Sequence, residues 1–345
     1  KDEVIFEDET MTILYHESII PARGHNIGVD WSTESNKIWT TFLPRYEVPK
    51  MEKNRKLNDF IPEMEFLIDQ DKIFVGLEKL LNLVDSYDSW ITESEKRLLS
   101  KDVNELLQGA KIKKRINQHI STARNNSLRM RQGLNFLEQD KMARDAFRLA
   151  NAAIRFSQDR PTIPEIKNRV NDEGEFIPFK WFPFQISFQL LNIRGLCALD
   201  KNDEAWAERD IIDLAWFPTG GGKTEAYLGL ISIIGFYRRL RYPEKELESS
   251  VHVIMRYTLR LLTSDQADRL VRLVVGMNHV AEKMGKDISV NNYQGQKFPR
   301  FRVGMWVGEK ASPNRLLSKK SNQYSKYNAE DALIDLRSGD EETGE

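Results

Sequence analysis

The densest chemistry in the chain is Thr219-Gly220-Gly221-Gly222-Lys223-Thr224-Glu225. Three consecutive glycines let the backbone curl until successive N–H groups point inward, an arrangement that receives a phosphate. A helix opening at Lys223 would add the positive end of its dipole. Lys223 brings a charge for the β- and γ-phosphates, and the Thr224 hydroxyl is placed to ligate Mg²⁺. Residues Thr219 to Glu225 therefore read as a site for ATP with Mg²⁺, with Lys223 and Thr224 as the catalytic pair and Thr224 as the metal ligand. The strict G-x-x-x-x-G-K-[ST] pattern fails, because position 217 is Phe.

Such a loop needs a strand before it and a helix behind it. Ile211-Ile212-Asp213-Leu214-Ala215-Trp216 reads as a buried strand, and a helix is predicted from Lys223 to about Leu240. Val251-His252-Val253-Ile254-Met255 and Phe301 to Val307 read as two further strands. Between them Thr263 and Gln266 have the spacing of a capping box, ahead of a helical face of Leu270, Leu273, Val274, Met277 and Ala281. Strands alternating with helices imply right-handed crossovers and a parallel sheet, an α/β fold. The apolar helix over 227–237 is expected to be buried against that sheet.

Upstream the pattern changes twice. Residues 1–60 hold short alternating runs, Met11 to Tyr15 and Lys37 to Phe42, broken by Gly24, Pro44 and Pro49, and read as a β-rich segment. Residues 61–165 carry helical spacings, Leu77-Leu80-Leu81-Val84 and Phe147-Ala150-Ile154, and read as a helical accessory domain. Gly and Pro return between Pro161 and Pro183, so residues 166–345 form the third unit. No internal repeat is evident.

The segment Phe217 to Gly229 resembles motif I of a superfamily-2 DNA helicase branch that includes DrmA, the helicase subunit of the DISARM anti-phage system. Pro183-Phe184-Gln185, Met255 to Thr263, Trp306-Val307-Gly308 and Ser312-Pro313-Asn314 are similar to that branch in order and spacing, as are Ile38 to Pro44 and Phe147 to Asn151. The resemblance implies a P-loop RecA-like parallel-sheet domain over 166–345, incomplete here, and an ATP-dependent helicase or translocase in anti-phage defence. It implies that Gln185 recognises adenine through its amide, and that Thr258, Arg260 and Gln266 contact DNA phosphates. Glu309 stands where the family's paired-glycine motif has its second glycine. A second RecA-like domain in the full-length chain and the subunit DrmB are the implied protein partners. No strand ending in Asp-Glu follows motif I. Asp203-Glu204-Ala205-Trp206 precedes it in a polar run, so this chain alone is expected to be inactive.

From Lys111 to Leu137 the chain carries Lys113, Lys114, Arg115, Arg124, Arg129 and Arg131 without one Asp or Glu. This stretch reads as a DNA-backbone contact, with Lys113, Lys114 and Arg115 as its core, or as a solvated face, or as contacts to an acidic neighbour. Lys and Arg total 51 against 52 Asp and Glu, which excludes a uniformly basic nucleic-acid binder. One cysteine excludes an internal disulfide and suits the cytoplasm. The longest apolar run is too short for a membrane span. The five histidines show no metal-ligand spacing. The opening Lys1-Asp2-Glu3 leads to the expectation of a segment of a longer protein. Two other readings compete with the motor: an ATP-binding scaffold without productive unwinding, and a small-molecule kinase.

Overall fold

The computed structural model describes residues 13, 22, 24, 25, 27–32, 34–42, 55–100, 110–159, 169–171, 173–215, 222–241, 251–256, 260–284 and 300–305, the side chains of 55, 56, 110, 111, 260–264 and 284 excepted. Near the start, β1 (Gly28–Ser32) and β2 (Lys37–Thr41) form an antiparallel hairpin that pairs Gly28 with Thr41 and Ser32 with Lys37. Its turn closes through Asn36 at φ 50°, a left-handed conformation that Asn tolerates.

Among the described residues the remaining named elements are helical: α1 (Arg55–Asn58), α2 (Met64–Ile68), α3 (Ile73–Leu98), α4 (Ala110–Gln139), α5 (Lys141–Gln158), α6 (Pro183–Cys197), α7 (Lys223–Arg241) and α8 (Arg260–Met284). A 3₁₀ turn spans Glu204–Asp210. The core forms around α5. Its N-cap Asp140 accepts from the Ala143 N–H, and Ala143, Ala146, Phe147, Leu149, Ala150, Ala153 and Ile154 are all buried. Alanines on several sides keep this helix thin, so α2, α4, α7 and α8 all pack on it. At Gly276 of α8 an added Cβ would lie 2.8 Å from the Ala153 carbonyl oxygen, so the two backbones touch. A fully buried Phe, such as Phe147, contributes roughly 1.5–3 kcal/mol of transfer free energy.

Helices α3 and α4 run together as a second layer. Their distal ends bury Ile91 against Ile116 and Ile120. Arg124 pairs with Glu95, and Arg131 with Asp85 and Asp88.

This architecture corrects the expected fold class. The sheet observed among the described residues is the two-stranded antiparallel hairpin, not a parallel RecA-like sheet. Residues 211–215, 251–256 and 301–305 form no strands, and Ile212 is 96% exposed, Leu214 83% and Ile254 83%. A strand needs a ladder partner as well as an apolar run, and a run of about five residues does not supply one. Here the face of α7 expected to cover a sheet covers α5 and α6 instead. A second correction concerns Thr263, which is not an N-cap, because α8 already begins at Arg260. Trp216 and residues 306 and 307 of the expected strands lie outside the described residues.

Candidate nucleotide-phosphate site

The start of α7 is positioned from α6. Trp181, 2% exposed, donates its indole N–H to the Asn151 Oδ1 at 2.7 Å, which fastens the entry of α6 to α5. Pro183 then opens α6, where its missing N–H costs nothing. Two residues on, Gln185 is 1% exposed and its amide is used at both ends. Its Oε1 accepts from the Phe182 N–H at 2.8 Å, and its Nε2 donates to the Gly222 carbonyl at 2.7 Å. Gly222 sits at φ 87°, and a Cβ there would lie 2.6 Å from Gln185 Nε2. Glycine is required at this position both by backbone conformation and by space.

Lys223 and Thr224, both half-buried, follow in the first turn of α7. Glu225 completes that turn and meets Arg269 of α8 at 3.2 Å, while Asp265 lies 3.6 Å from the same guanidinium. Phe188 and Tyr227 pack edge to face at 5.7 Å and hold α6 against α7 behind the turn. The described part of the site is thus a glycine at a helix start, a lysine, a hydroxyl and an ion pair. These groups fit a phosphate with a divalent cation: N–H donors and Lys223 for the anion, Thr224 for the metal.

Of the residues expected at the site, Gly222, Lys223, Thr224, Glu225 and Gln185 come together. Gln185 spends its amide on Phe182 and Gly222. Thr219, Gly220, Gly221 and Thr258 lie outside the described residues, and Arg260 is described in its backbone alone. Gln266 is 8% exposed and donates to Asp265 at 3.2 Å. Lys113, Lys114 and Arg115 are far along the chain on α4, where with Gln118, His119 and Thr122 they line an open depression. The 3₁₀ turn takes up Glu204-Ala205-Trp206, with Asp203 capping it through the Ala205 N–H.

Three contacts were missed in the sequence: Trp181 with Asn151, Arg269 with Glu225, and Arg129 with Asp213. Arg129 donates to both Asp213 oxygens, at 2.9 and 2.8 Å. An aspartate inside the apolar run 211–215 was the available signal. The arginines of the basic stretch divide accordingly: Arg124, Arg129 and Arg131 are held by carboxylates, while Lys113 and Lys114 are exposed. Asp88 feels two opposed influences. Burial pushes its carboxyl up, and the hydrogen bond and charge of Arg131, with the charge of Arg124, outweigh that and bring it below its ordinary value.

The fold and the site together define a helical module in which a left-handed glycine, a lysine and a threonine open one core helix. The DISARM protein DrmA of Bacillus paralicheniformis (strain ATCC 9945a / NCIMB 11709 / CD-2) is 32% identical over 335 residues, which cover 90% of this chain and 27% of that protein. No family model matches. The chain thus spans about a quarter of its relative's length. The helicase recognition made from motif resemblance is corrected by the fold. An ATP-hydrolysing superfamily-2 motor requires a RecA-like parallel sheet, and the described residues are helical around α5. With that sheet go the helicase, P-loop ATPase and translocase activities expected from the sequence. Among the described residues no helix is long and apolar enough to cross a membrane.

Proposed function

We propose that this helical module binds the phosphates of ATP, with Mg²⁺, at the start of α7. The observation that carries the reading is Gly222. It is held at φ 87° by the buried Gln185, directly ahead of Lys223 and Thr224. In the proposal Thr219, Gly220 and Gly221 belong to the phosphate site together with Gly222. Lys223 neutralises the terminal phosphate, and Thr224 holds the cation. Glu225 stays on Arg269 and keeps its own charge away from the anion.

Two partners belong to the proposal. DNA is met by Lys113, Lys114 and Arg115, which are drawn to phosphate by counterion release. The likeness to a DISARM protein supports DrmB as a protein partner. The single cysteine, Cys197, is buried, and burial pushes its thiol well above the ordinary value, which suits the reducing cytoplasm.

The test is equilibrium titration of Mg²⁺–ATP into the wild type and Lys223→Ala. The variant is expected to bind at least about tenfold more weakly, since a hydrogen bond to a charged group contributes roughly 1.5–3 kcal/mol. Equal affinities would place the ligand elsewhere.

A further inference from the structure

We infer that Arg129 is a positioning residue for the phosphate-binding turn, acting through Asp213. The inference rests on the nucleotide reading above and deepens it. Asp213 precedes the glycine run by seven positions. Around it the chain has no sheet ladder, and its apolar neighbours Ile212 and Leu214 face solvent. Beyond Ile211, whose N–H donates to the Glu208 carbonyl at 3.2 Å, neither a sheet ladder nor burial of Ile212 and Leu214 fixes this segment. The two-pronged ion pair does: Arg129 is 5% exposed, and the Asp213 side chain is 13% exposed.

Beyond the glycine run, Gly222 is held by Gln185 of α6. Helices α4 and α6 pack closely, since an added Cβ at Gly133 would lie 2.1 Å from the Leu190 carbonyl oxygen. The chain is thus anchored before and after the glycine run on one pair of packed helices. A buried ion pair contributes little net stability compared with apolar residues of the same volume. What the fork of Arg129 adds is orientation, because its parallel N–H bonds admit one placement of the carboxylate.

The test uses the full chain with four changes: Asp213→Asn, Arg129→Gln, the paired exchange Arg129→Asp with Asp213→Arg, and the apolar pair Arg129→Met with Asp213→Leu. The apolar pair keeps the protein folded where a lone charge would not. Amide hydrogen exchange of residues 214–223 is read without ligand, and Mg²⁺–ATP affinity and melting are read beside it. In the apolar pair we expect melting close to wild type and faster exchange confined to 214–223. Affinity should fall by at least about tenfold, the order of loss that small misplacements bring. The charge exchange should recover part of both. Unchanged exchange, or unchanged affinity despite faster exchange, would overturn the inference and leave Arg129 a packing residue. If the wild type binds no Mg²⁺–ATP, the nucleotide reading fails, and the exchange comparison still decides whether Arg129 orders the segment.

Discussion

Replacing Ile212 by Asn and Leu214 by Ser separates a helical core from a sheet core. Both residues belong to the apolar run that reads as a buried strand, and both face solvent, at 96% and 83% exposure. Fully burying an Ile or Leu side chain contributes at most about 3 kcal/mol. The buried remainder of each residue then amounts to about 0.1 kcal/mol for Ile212 and about 0.5 kcal/mol for Leu214. Phe147 in α5 is the contrast. It is 0% exposed, and truncation to Ala removes packing and leaves a cavity, at a cost of about 3–5 kcal/mol. Urea unfolding followed by circular dichroism measures all three variants. The midpoint should barely move for Ile212→Asn and Leu214→Ser and fall steeply for Phe147→Ala. A loss of more than about 2 kcal/mol from Ile212→Asn would mean that this side chain is in a core, and the reasoning would fail.

Gly276→Ala should destabilise the packing of α8 on α5 by about 1–3 kcal/mol, read as a lower urea midpoint, because its Cβ would meet the Ala153 carbonyl at 2.8 Å. The lowered Asp88 carboxyl contributes stability that is present above its ordinary value of 3.8 and lost as pH falls through the lower folded value. Stability measured against pH should therefore lose part of its acid limb in Arg131→Gln, and an unchanged limb would remove Asp88 from the account. Changing Lys113, Lys114 and Arg115 to Glu should weaken DNA binding for all sequences alike. Each lost phosphate contact should reduce the log–log salt slope by about 0.7–0.9, and an unaltered slope returns these residues to a solvated face.

Local signals in the sequence were legible where the element is local. The spacing Leu77-Leu80-Val84 lies buried along α3, and Phe147-Ala150-Ile154 lies buried along α5. The glycine run followed by Lys223 marks the start of α7. Strand pairing is not local, and so it was misread. Residues 211–215 and 251–255 have the composition of strands, but nothing within five residues says whether a partner exists. The Thr263–Gln266 spacing misled for a related reason, since a polar residue three positions before Gln also occurs inside a helix. The basic stretch of α4 looked uniform, because the acids that hold Arg124 and Arg131 come from α3, and Asp213 lies 84 positions from Arg129. Gln185 stood out through the resemblance alone, as an adenine reader, whereas its amide meets Phe182 and Gly222. Its grip on Gly222 depends on the packing of α6 against α7.

The most direct measurement is amide hydrogen exchange across the whole chain with and without Mg²⁺–ATP. The account predicts slowed exchange at Gly222, Lys223, Thr224 and Glu225, where N–H groups at the start of α7 face the phosphates. It predicts no change at Lys113 and Lys114. Loss of the protection in Lys223→Ala would tie the effect to this turn. Unchanged exchange at 222–225 under saturating nucleotide, or protection centred on another helix, would contradict it.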